Sequence, residues 1–177
     1  MRVIAGEFRS RKLATLPGMA TRPTPDRLRE SLFNILAPRI EGATFMDVYA
    51  GTGAVGIEAL SRGAGRAIFI ERNRAAVEVI RENLHALGIE SRAEVFTAKA
   101  HTVLERLTGD IVFLDPPYDL EREYAESLDL LGARPNSLVI AQHSVRLALT
   151  DEYGKLRRTR VVKQGDNSLS FYQSTGS

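Results

Sequence analysis

Residues 44–56, T-F-M-D-V-Y-A-G-T-G-A-V-G, constrain the fold more than any other part of the chain. An apolar run through Tyr49 ends abruptly in Gly51, Gly53 and Gly56, and a helix-like segment follows. This pattern is typical of a buried strand, a tight turn and a helix whose N-terminus faces a ligand. Gly51 and Gly53 tolerate positive φ and let a ligand approach the backbone, while Gly56 lets the helix pack closely on the strand. By itself the G-x-G-x-x-G spacing indicates only a nucleotide-binding fold.

Two later features narrow the interpretation of this turn. Glu71 ends the next strand-like run, about 20 residues beyond Gly51, where a carboxylate can accept both hydrogen bonds of a ribose diol. The sequence Asp115-Pro116-Pro117-Tyr118 follows a later apolar run, D-I-V-F-L. A dinucleotide-binding domain has no need of D-P-P-Y, so the chain is expected to carry a second function at that strand end.

Strands and helices alternate from residue 44 to about residue 142, which predicts an α/β fold with a doubly wound, mostly parallel sheet. Two runs near the end, residues 156–162 and 169–173, flank G-D-N and predict an antiparallel hairpin that adds one antiparallel strand at the sheet edge. A length of 177 residues indicates one domain, residues 1–177. Within it we expect an N-terminal extension over residues 1–40 and an α/β body over residues 41–177.

The extension is predicted to contain a short hairpin, from extended runs at residues 2–5 and 12–16, and then a helix. Thr24 is the expected N-cap with Pro25 at the first helical position, and Pro38 is expected to end the helix. Arg27 and Arg29 are predicted to lie off the apolar face of that helix.

Charge is nearly balanced overall, with 24 Lys and Arg against 22 Asp and Glu, but the basic residues gather at the two ends of the chain. This distribution favours a polyanionic partner, RNA or DNA, over an ordinary basic surface.

The absence of cysteine excludes disulfides and thiolate metal sites. The three scattered histidines read as ordinary residues, so no metal is expected. We see no signal peptide and no run of the roughly 20 apolar residues that a membrane span requires, which predicts a cytoplasmic protein.

The motifs D-V-Y-A-G-T-G, E-R-N and D-P-P-Y, in this order, resemble those of class I S-adenosylmethionine-dependent methyltransferases that modify exocyclic amino groups of bases. Four further segments resemble the RsmD family of 16S ribosomal RNA guanine-N2 methyltransferases: R-V-I-A-G, R-P-T-P-D-R-L-R-E-S-L-F-N-I-L, G-A-V-G-I-E-A-L-S-R-G-A and S-L-S-F-Y. The resemblance covers nearly the whole chain, and the segment at residues 22–36 is far more specific than the glycines.

This resemblance implies a Rossmann-like methyltransferase fold, S-adenosylmethionine as the cofactor and a guanine of 16S ribosomal RNA, free or in a ribosomal subunit, as the target. The cofactor-binding residues that it implies are Asp47, Tyr49, Gly51, Gly53, Glu71 and Arg72. For the RNA it suggests a contact through Arg22, Arg27 and Arg29, with the two basic ends holding phosphates. Nothing in the sequence demands more than a monomer.

The catalytic residues expected from D-P-P-Y are Asp115, Pro116 and Tyr118. An amino group conjugated to a base has a delocalised lone pair and is a poor nucleophile. The Asp115 carboxylate and the Pro116 carbonyl can accept its two hydrogens, which orients the nitrogen and favours charge development. Paired prolines fix φ and hold that carbonyl still. The Tyr118 ring can stack on an unstacked base, worth roughly 1–3 kcal/mol.

One position departs from the family. Relatives often carry an acid after the third strand, near the cofactor adenine, whereas this chain has Lys99 there. Three alternatives stay open at this point. A DNA adenine-N6 or cytosine-N4 methyltransferase would also use D-P-P-Y but lacks a recognition domain here, and a nicotinamide dehydrogenase leaves D-P-P-Y without a role. A non-catalytic ribosome-binding factor is disfavoured by the intact motif.

Overall fold

The computed structural model describes residues 1–17, 24–117, 121–134 and 137–175. The helices of this part are Asp26–Ile40 (α1), Ala54–Ser61 (α2), Arg74–Leu87 (α3), Ala100–Val103 (α4) and Glu121–Ala133 (α5), with a 3₁₀ turn at Glu90–Arg92. The strands are Thr44–Val48 (β1), Arg66–Glu71 (β2), Ala93–Thr97 (β3), Ile111–Leu114 (β4), Leu138–Ser144 (β5), Glu152–Tyr153 (β6), Leu156–Gln164 (β7) and Asn167–Ser174 (β8).

The described strands form one eight-stranded sheet in the order β3-β2-β1-β4-β5-β8-β7-β6. The first five strands along the chain pair in parallel, and β8 joins β5 antiparallel. The predicted α/β fold with a C-terminal hairpin is therefore confirmed. The antiparallel part is larger than the single strand expected, because β6 also pairs with β7 and forms the edge. The order reverses between β1 and β4, which places a crevice beyond the carboxyl ends of these two strands.

Both faces of the sheet are covered, so the central strands are apolar on both sides. All four residues of β4 are buried, as its sequence I-V-F-L predicts. Phe113 and Phe45 point into the core shared with α1 and α2, whereas Val112 and Leu114 point into the core shared with α5. Helix α3 begins with Asn73, whose side chain accepts hydrogen bonds from the amides of Ala75 and Ala76, and ends at Gly88, as predicted.

The predicted N-terminal hairpin is present but short: backbone hydrogen bonds join Met1 and Val3 to residues 10–13, around an antiparallel bridge between Arg2 and Lys12. Beyond Val3 the backbone pairs with α2 instead. The amides of Ile4 and Ala5 donate to the Glu58 carboxylate at 2.9 and 3.1 Å, and Phe8 donates to the Ser61 hydroxyl at 2.9 Å. Because these amides find their partners on a helix, no strand ladder extends through them.

Helix α1 corrects two expectations about its ends. Pro25, rather than Thr24, holds the N-cap position, and the helix begins at Asp26. Pro38 lies inside the last turn and the helix continues to Ile40, whose side chain is buried in the core. Loss of one backbone donor near a helix end is tolerated here because burial of Ile40 holds the last turn in place. Among the helices of the described residues, none is long and apolar enough to cross a bilayer.

Candidate active site at the carboxyl ends of β1 and β4

The turn after β1 has the backbone that its glycines predict. Gly51 has φ of +59° and Gly53 has φ of +87°, both in the left-handed region. A Cβ atom placed on Gly51 would have no atom within 4 Å, so the space beside this backbone is open to a ligand. At Gly56 the situation is opposite, because a Cβ would lie 2.3 Å from the Phe69 ring of β2. The close packing expected at Gly56 is confirmed, and the neighbour that requires it belongs to β2.

Glu71, at the end of β2, supports this turn. One carboxylate oxygen accepts a hydrogen bond from the Gly51 amide at 2.8 Å, and the other accepts from the Asn73 amide at 2.8 Å. A carboxylate has about four acceptor positions, so Glu71 can bind further hydroxyl groups while it holds the turn. The neighbouring Arg72 is exposed.

Asp47 lies in the middle of the site and is buried. Its carboxylate accepts a hydrogen bond from the Gly56 amide at 2.9 Å, which ties β1 to the first turn of α2. Burial raises the pKa of Asp47 well above its ordinary value; the Gly56 hydrogen bond opposes this shift, and the charges of Asp115 and Glu71 add to it. The neutral form of Asp47 is therefore favoured more than in an ordinary aspartate, and the side chain serves here to tie β1 to α2.

Asp115 and Pro116 follow β4 directly, beside the β1 turn. The register pairs Val48 of β1 with Leu114 of β4, so Tyr49 and Asp115 come next on neighbouring strands. The predicted proximity of these two strand ends is therefore confirmed. The Thr24 hydroxyl donates to an Asp115 carboxylate oxygen at 3.4 Å. Tyr118, the expected stacking residue, lies outside the described residues.

A cavity of about 360 Å³ joins these elements, a size within the usual range of small-molecule sites. Its walls include Asp47, Tyr49 and Gly51 from the β1 turn and Asp115 with Pro116 from the β4 end. The lining does not include Gly53, Glu71 or Arg72, although Glu71 supports the Gly51 turn from its flank.

Tyr49 turns into this cavity through an uncommon backbone conformation. Its φ is +63°, which is rare for a residue with a side chain, and its hydroxyl bonds to the Ser127 hydroxyl of α5 at 2.8 Å. Burial raises the pKa of Tyr49, so the hydroxyl stays neutral at physiological pH. The Tyr49 ring is thereby held between the Gly51 turn and α5.

The three arginines expected to contact RNA are separated by the structure. Arg27 is exposed on α1, and Arg22 lies outside the described residues. The prediction for Arg29 is wrong, because its side chain is fully buried. It donates to the Arg2 carbonyl at 2.8 Å and to the Asp26 carboxylate at 3.1 Å, and its Nε lies 3.8 Å from the Glu58 carboxylate. A guanidinium enclosed in this way cannot reach a phosphate.

Among the polar cavity residues that the sequence did not predict are Thr24, Gln142 and His143. The sequence predicts Thr24 only as a helix cap, although the specificity of the R-P-T-P-D segment is itself a signal of function. Gln142 and His143 lie near the end of β5, and the rule that selected Asp115 at the end of β4 applies to them equally. Groups of three or more side chains able to hold a metal are absent from the part of the chain that the structure describes.

Comparison with known proteins agrees with this geometry. A family model described as Conserved hypothetical protein 95 matches residues 1–173. Ribosomal RNA small subunit methyltransferase D of Haemophilus influenzae is 37% identical over 150 residues, which are 80% of this chain and 78% of that protein.

Solved structures show the same architecture. The yhhF protein of Escherichia coli matches with a TM-score of 0.87 and 32% identity, over 100% of this chain and 99% of that chain. An RNA methyltransferase of Salinibacter ruber, solved in complex with S-adenosyl-L-homocysteine, matches with a TM-score of 0.70 and 16% identity, over 88% and 96% of the two chains. At that identity the second match bears on the fold alone.

Proposed function

The chain belongs to the RsmD family, described as Conserved hypothetical protein 95, and on that premise we propose that it methylates the exocyclic N2 amino group of a guanine in 16S ribosomal RNA. The methyl donor is S-adenosylmethionine. The observation that carries the proposal is the single cavity in which the Gly51 turn meets Asp115 and Pro116. A ligand-binding turn and a pair of amino-group acceptors share one space there.

The residues around the turn fit this cofactor. The open side of Gly51 admits a ligand to the backbone, and Glu71 keeps acceptor positions for a ribose diol. S-adenosylmethionine supplies, when bound, an electrophilic methyl group on its sulfonium.

Asp115 and Pro116 act on the amino group of the target base. The Asp115 carboxylate and the Pro116 carbonyl accept the two hydrogens of the nitrogen and aim its lone pair into the cavity. As the nitrogen gains the methyl group, one N–H bond breaks and its proton passes to the Asp115 carboxylate that accepted its hydrogen bond. The protein mainly positions the two reactants, because the donor is reactive without further activation.

The base must leave its stack to enter this cavity, whether it is flipped from a helix or already looped out. We assign Tyr118 to stacking on the displaced base, and Arg22 and exposed Arg27 to the phosphates near the entrance. We further propose that the enzyme acts in the cytoplasm, on free ribosomal RNA or on a small ribosomal subunit. It is proposed to act as a monomer.

The test is transfer of labelled methyl groups from S-adenosylmethionine, with unmodified small-subunit ribosomal RNA, the assembled subunit and DNA offered in parallel. Digestion to nucleosides should give N2-methylguanosine from at least one ribosomal substrate. The better of the two substrates identifies what presents the base.

Two outcomes would contradict the proposal. Label in DNA would instead establish an amino methyltransferase of DNA bases. Cofactor binding without label in any substrate would point to a binding factor that retains the fold.

A further inference from the structure

Gln142 is a buried polar residue of the cavity wall that the proposed chemistry does not yet use. It lies near the end of β5, is 7% exposed and lines the cavity. Its side-chain Oε1 is buried and accepts no hydrogen bond from any group of the described structure. Buried amide oxygens are almost always paired, so an unpaired one on a residue of the cavity wall points to a partner supplied by the ligand.

The strand register places Gln142 next to the acceptors of the amino group. Leu114 of β4 pairs with Ala141 of β5, and the following residues on the two strands are Asp115 and Gln142. A base whose amino group is held by Asp115 therefore presents the adjoining part of its edge toward Gln142.

The backbone around Gln142 is firmly held. The Tyr124 hydroxyl donates to the Gln142 carbonyl at 2.6 Å. The neighbouring His143 has partners for both ring nitrogens, the Ser144 carbonyl at 2.9 Å and the Ser170 hydroxyl at 2.8 Å. The Gln142 backbone is therefore held in place, while its side-chain oxygen has no hydrogen-bond partner among the described residues. Both properties are expected of a preorganised recognition group.

We propose that Gln142 binds the N1–O6 edge of the target guanine, its oxygen accepting from N1–H and its amide nitrogen donating to O6. This inference rests on the proposed function. Guanine presents N2–H, N1–H and O6 side by side, and an amide offers one acceptor and donors in matching order. Asp115 and Pro116 require a 2-amino group, and Gln142 reads the two positions beside it.

The experiment compares kcat/KM of the wild type, Gln142→Leu and Gln142→Glu on an RNA oligonucleotide that carries the unmodified target guanosine, located beforehand by fragmenting the labelled ribosomal RNA. The Leu variant should lose about ten- to a hundredfold, as expected for removal of a two-point base contact. The Glu variant should lose activity as well, because a carboxylate oxygen can accept N1–H but no donor is left for O6. Gln173→Leu, on β8 near the start of β5 and outside the cavity lining, is the matched control and should be unchanged.

A second substrate separates recognition from a structural role. With 2-aminopurine riboside at the target position the 2-amino group is kept, but position 1 becomes an acceptor and position 6 loses its oxygen. The Gln142 amide can then make one hydrogen bond, to position 1, in place of two, whereas leucine makes none with either base. The ratio of kcat/KM for 2-aminopurine to that for guanosine should therefore be higher in Gln142→Leu than in wild type.

Two results would overturn the proposal for Gln142: a Leu variant as active as wild type on guanosine, or an unchanged substrate ratio in Gln142→Leu. Thermal melting and cofactor titration of each variant establish that the fold and the cofactor site are intact, which we expect because Oε1 has no hydrogen-bond partner among the described residues. A wild type that methylates no ribosomal substrate would contradict the proposed function instead, so the two failures are distinguishable.

Discussion

At the scale of single residues, three carboxyl groups of one site differ in burial and in hydrogen-bond partners, and therefore in function. Asp47 is buried against the start of α2, Glu71 holds two backbone amides, and Asp115 is half-buried at the cavity wall. The same side-chain chemistry therefore ties β1 to α2, supports the Gly51 turn and, in the proposed function, accepts hydrogen bonds from the substrate. Each task predicts a different response to substitution.

Replacement of Asp115 by Ala should abolish methyl transfer, because the target nitrogen loses the acceptor that orients it. Cofactor affinity should change little, since Asp115 belongs to the β4 end of the cavity. Asp115→Asn should keep some activity through its amide oxygen. Single-turnover methyl transfer and calorimetric cofactor titration measure the two properties, and full activity in the Ala variant would remove Asp115 from the mechanism.

Replacement of Glu71 by Ala should weaken S-adenosylmethionine binding by about tenfold or more. Hydrogen bonds to a charged group contribute about 1.5–3 kcal/mol, and about 1.4 kcal/mol corresponds to a factor of ten. The loss of affinity has two sources. The ribose loses its hydrogen bonds to Glu71, and the turn loses the hydrogen bond that Glu71 accepts from the Gly51 amide. Calorimetry with the exposed Glu78→Ala as control checks this, and equal affinity in both variants would exclude Glu71 from the ribose site.

Stability should depend on pH through Asp47. Because the folded-state pKa is raised above the unfolded value of about 3.9, the folded protein keeps a proton that the unfolded chain releases between the two pKa values. The free energy of unfolding therefore falls as pH rises through that window, and the loss is complete above the folded pKa.

Asp47→Asn, which can still accept from the Gly56 amide, should remove this loss. Its melting temperature should exceed that of wild type by an amount that grows with pH. The exposed Asp129→Asn is the control and should track wild type throughout. A constant difference between Asp47→Asn and wild type from acid to neutral pH would show that Asp47 does not titrate as inferred.

At the scale of elements, the contact between α2 and the sheet determines the position of the Gly51 turn, which joins β1 to α2. The first turn of α2 is tied to β1 by the Asp47 hydrogen bond. It also packs closely on Phe69 of β2, because Gly56 has no side chain. The turn between β1 and α2 is thus fixed from both sides, which lets its open glycine backbone stay in place without a ligand.

Gly56→Ala should destabilise the protein by about 1–3 kcal/mol, the usual effect of overpacking, although alanine favours a helix. The added methyl would lie 2.3 Å from the Phe69 ring. Adding Phe69→Leu should restore part of the loss, because the clash is with the far end of that ring. Urea unfolding of the two single variants and the double variant measures the coupling, and strictly additive effects would refute the close contact.

At the scale of the whole molecule, a buried ion network joins the N-terminal segment to the body. Glu58 of α2 accepts from Ile4, Ala5 and Arg62, and it lies beside Arg29 of α1. Burial lowers the pKa of the Arg29 guanidinium, and the Glu58 charge opposes that shift. Removing one member of such a network leaves its partner buried and uncompensated.

Arg29→Ala should therefore destabilise the protein by about 3–5 kcal/mol, as measured by denaturant unfolding. Arg27→Ala, two residues away on the exposed side of the same helix, should stay within about 0.5 kcal/mol of wild type. Equal losses in the two variants would mean that burial of Arg29 contributes nothing specific.

The sequence determined those features that depend on residues close together along the chain. The apolar run, the glycines and the following helix fixed the turn after β1, and Asn73 and Gly88 fixed the ends of α3, because strand, turn and cap preferences are local. Repetition of such units determined the parallel sheet, and its strand-end rule placed the Gly51 turn beside Asp115.

The tertiary structure alone decided which side chains meet across long distances in the chain. The helical pattern predicts Arg29 on the surface, whereas Glu58 and the Arg2 carbonyl enclose it in the structure. The amides of Ile4 and Ala5 likewise find their partner on α2, which shortens the predicted hairpin. Thr24 and Gln142 entered the cavity through the docking of α1 and the register of β5. Burial and hydrogen-bond partners of these residues are set by the packing of distant segments, which no local pattern encodes.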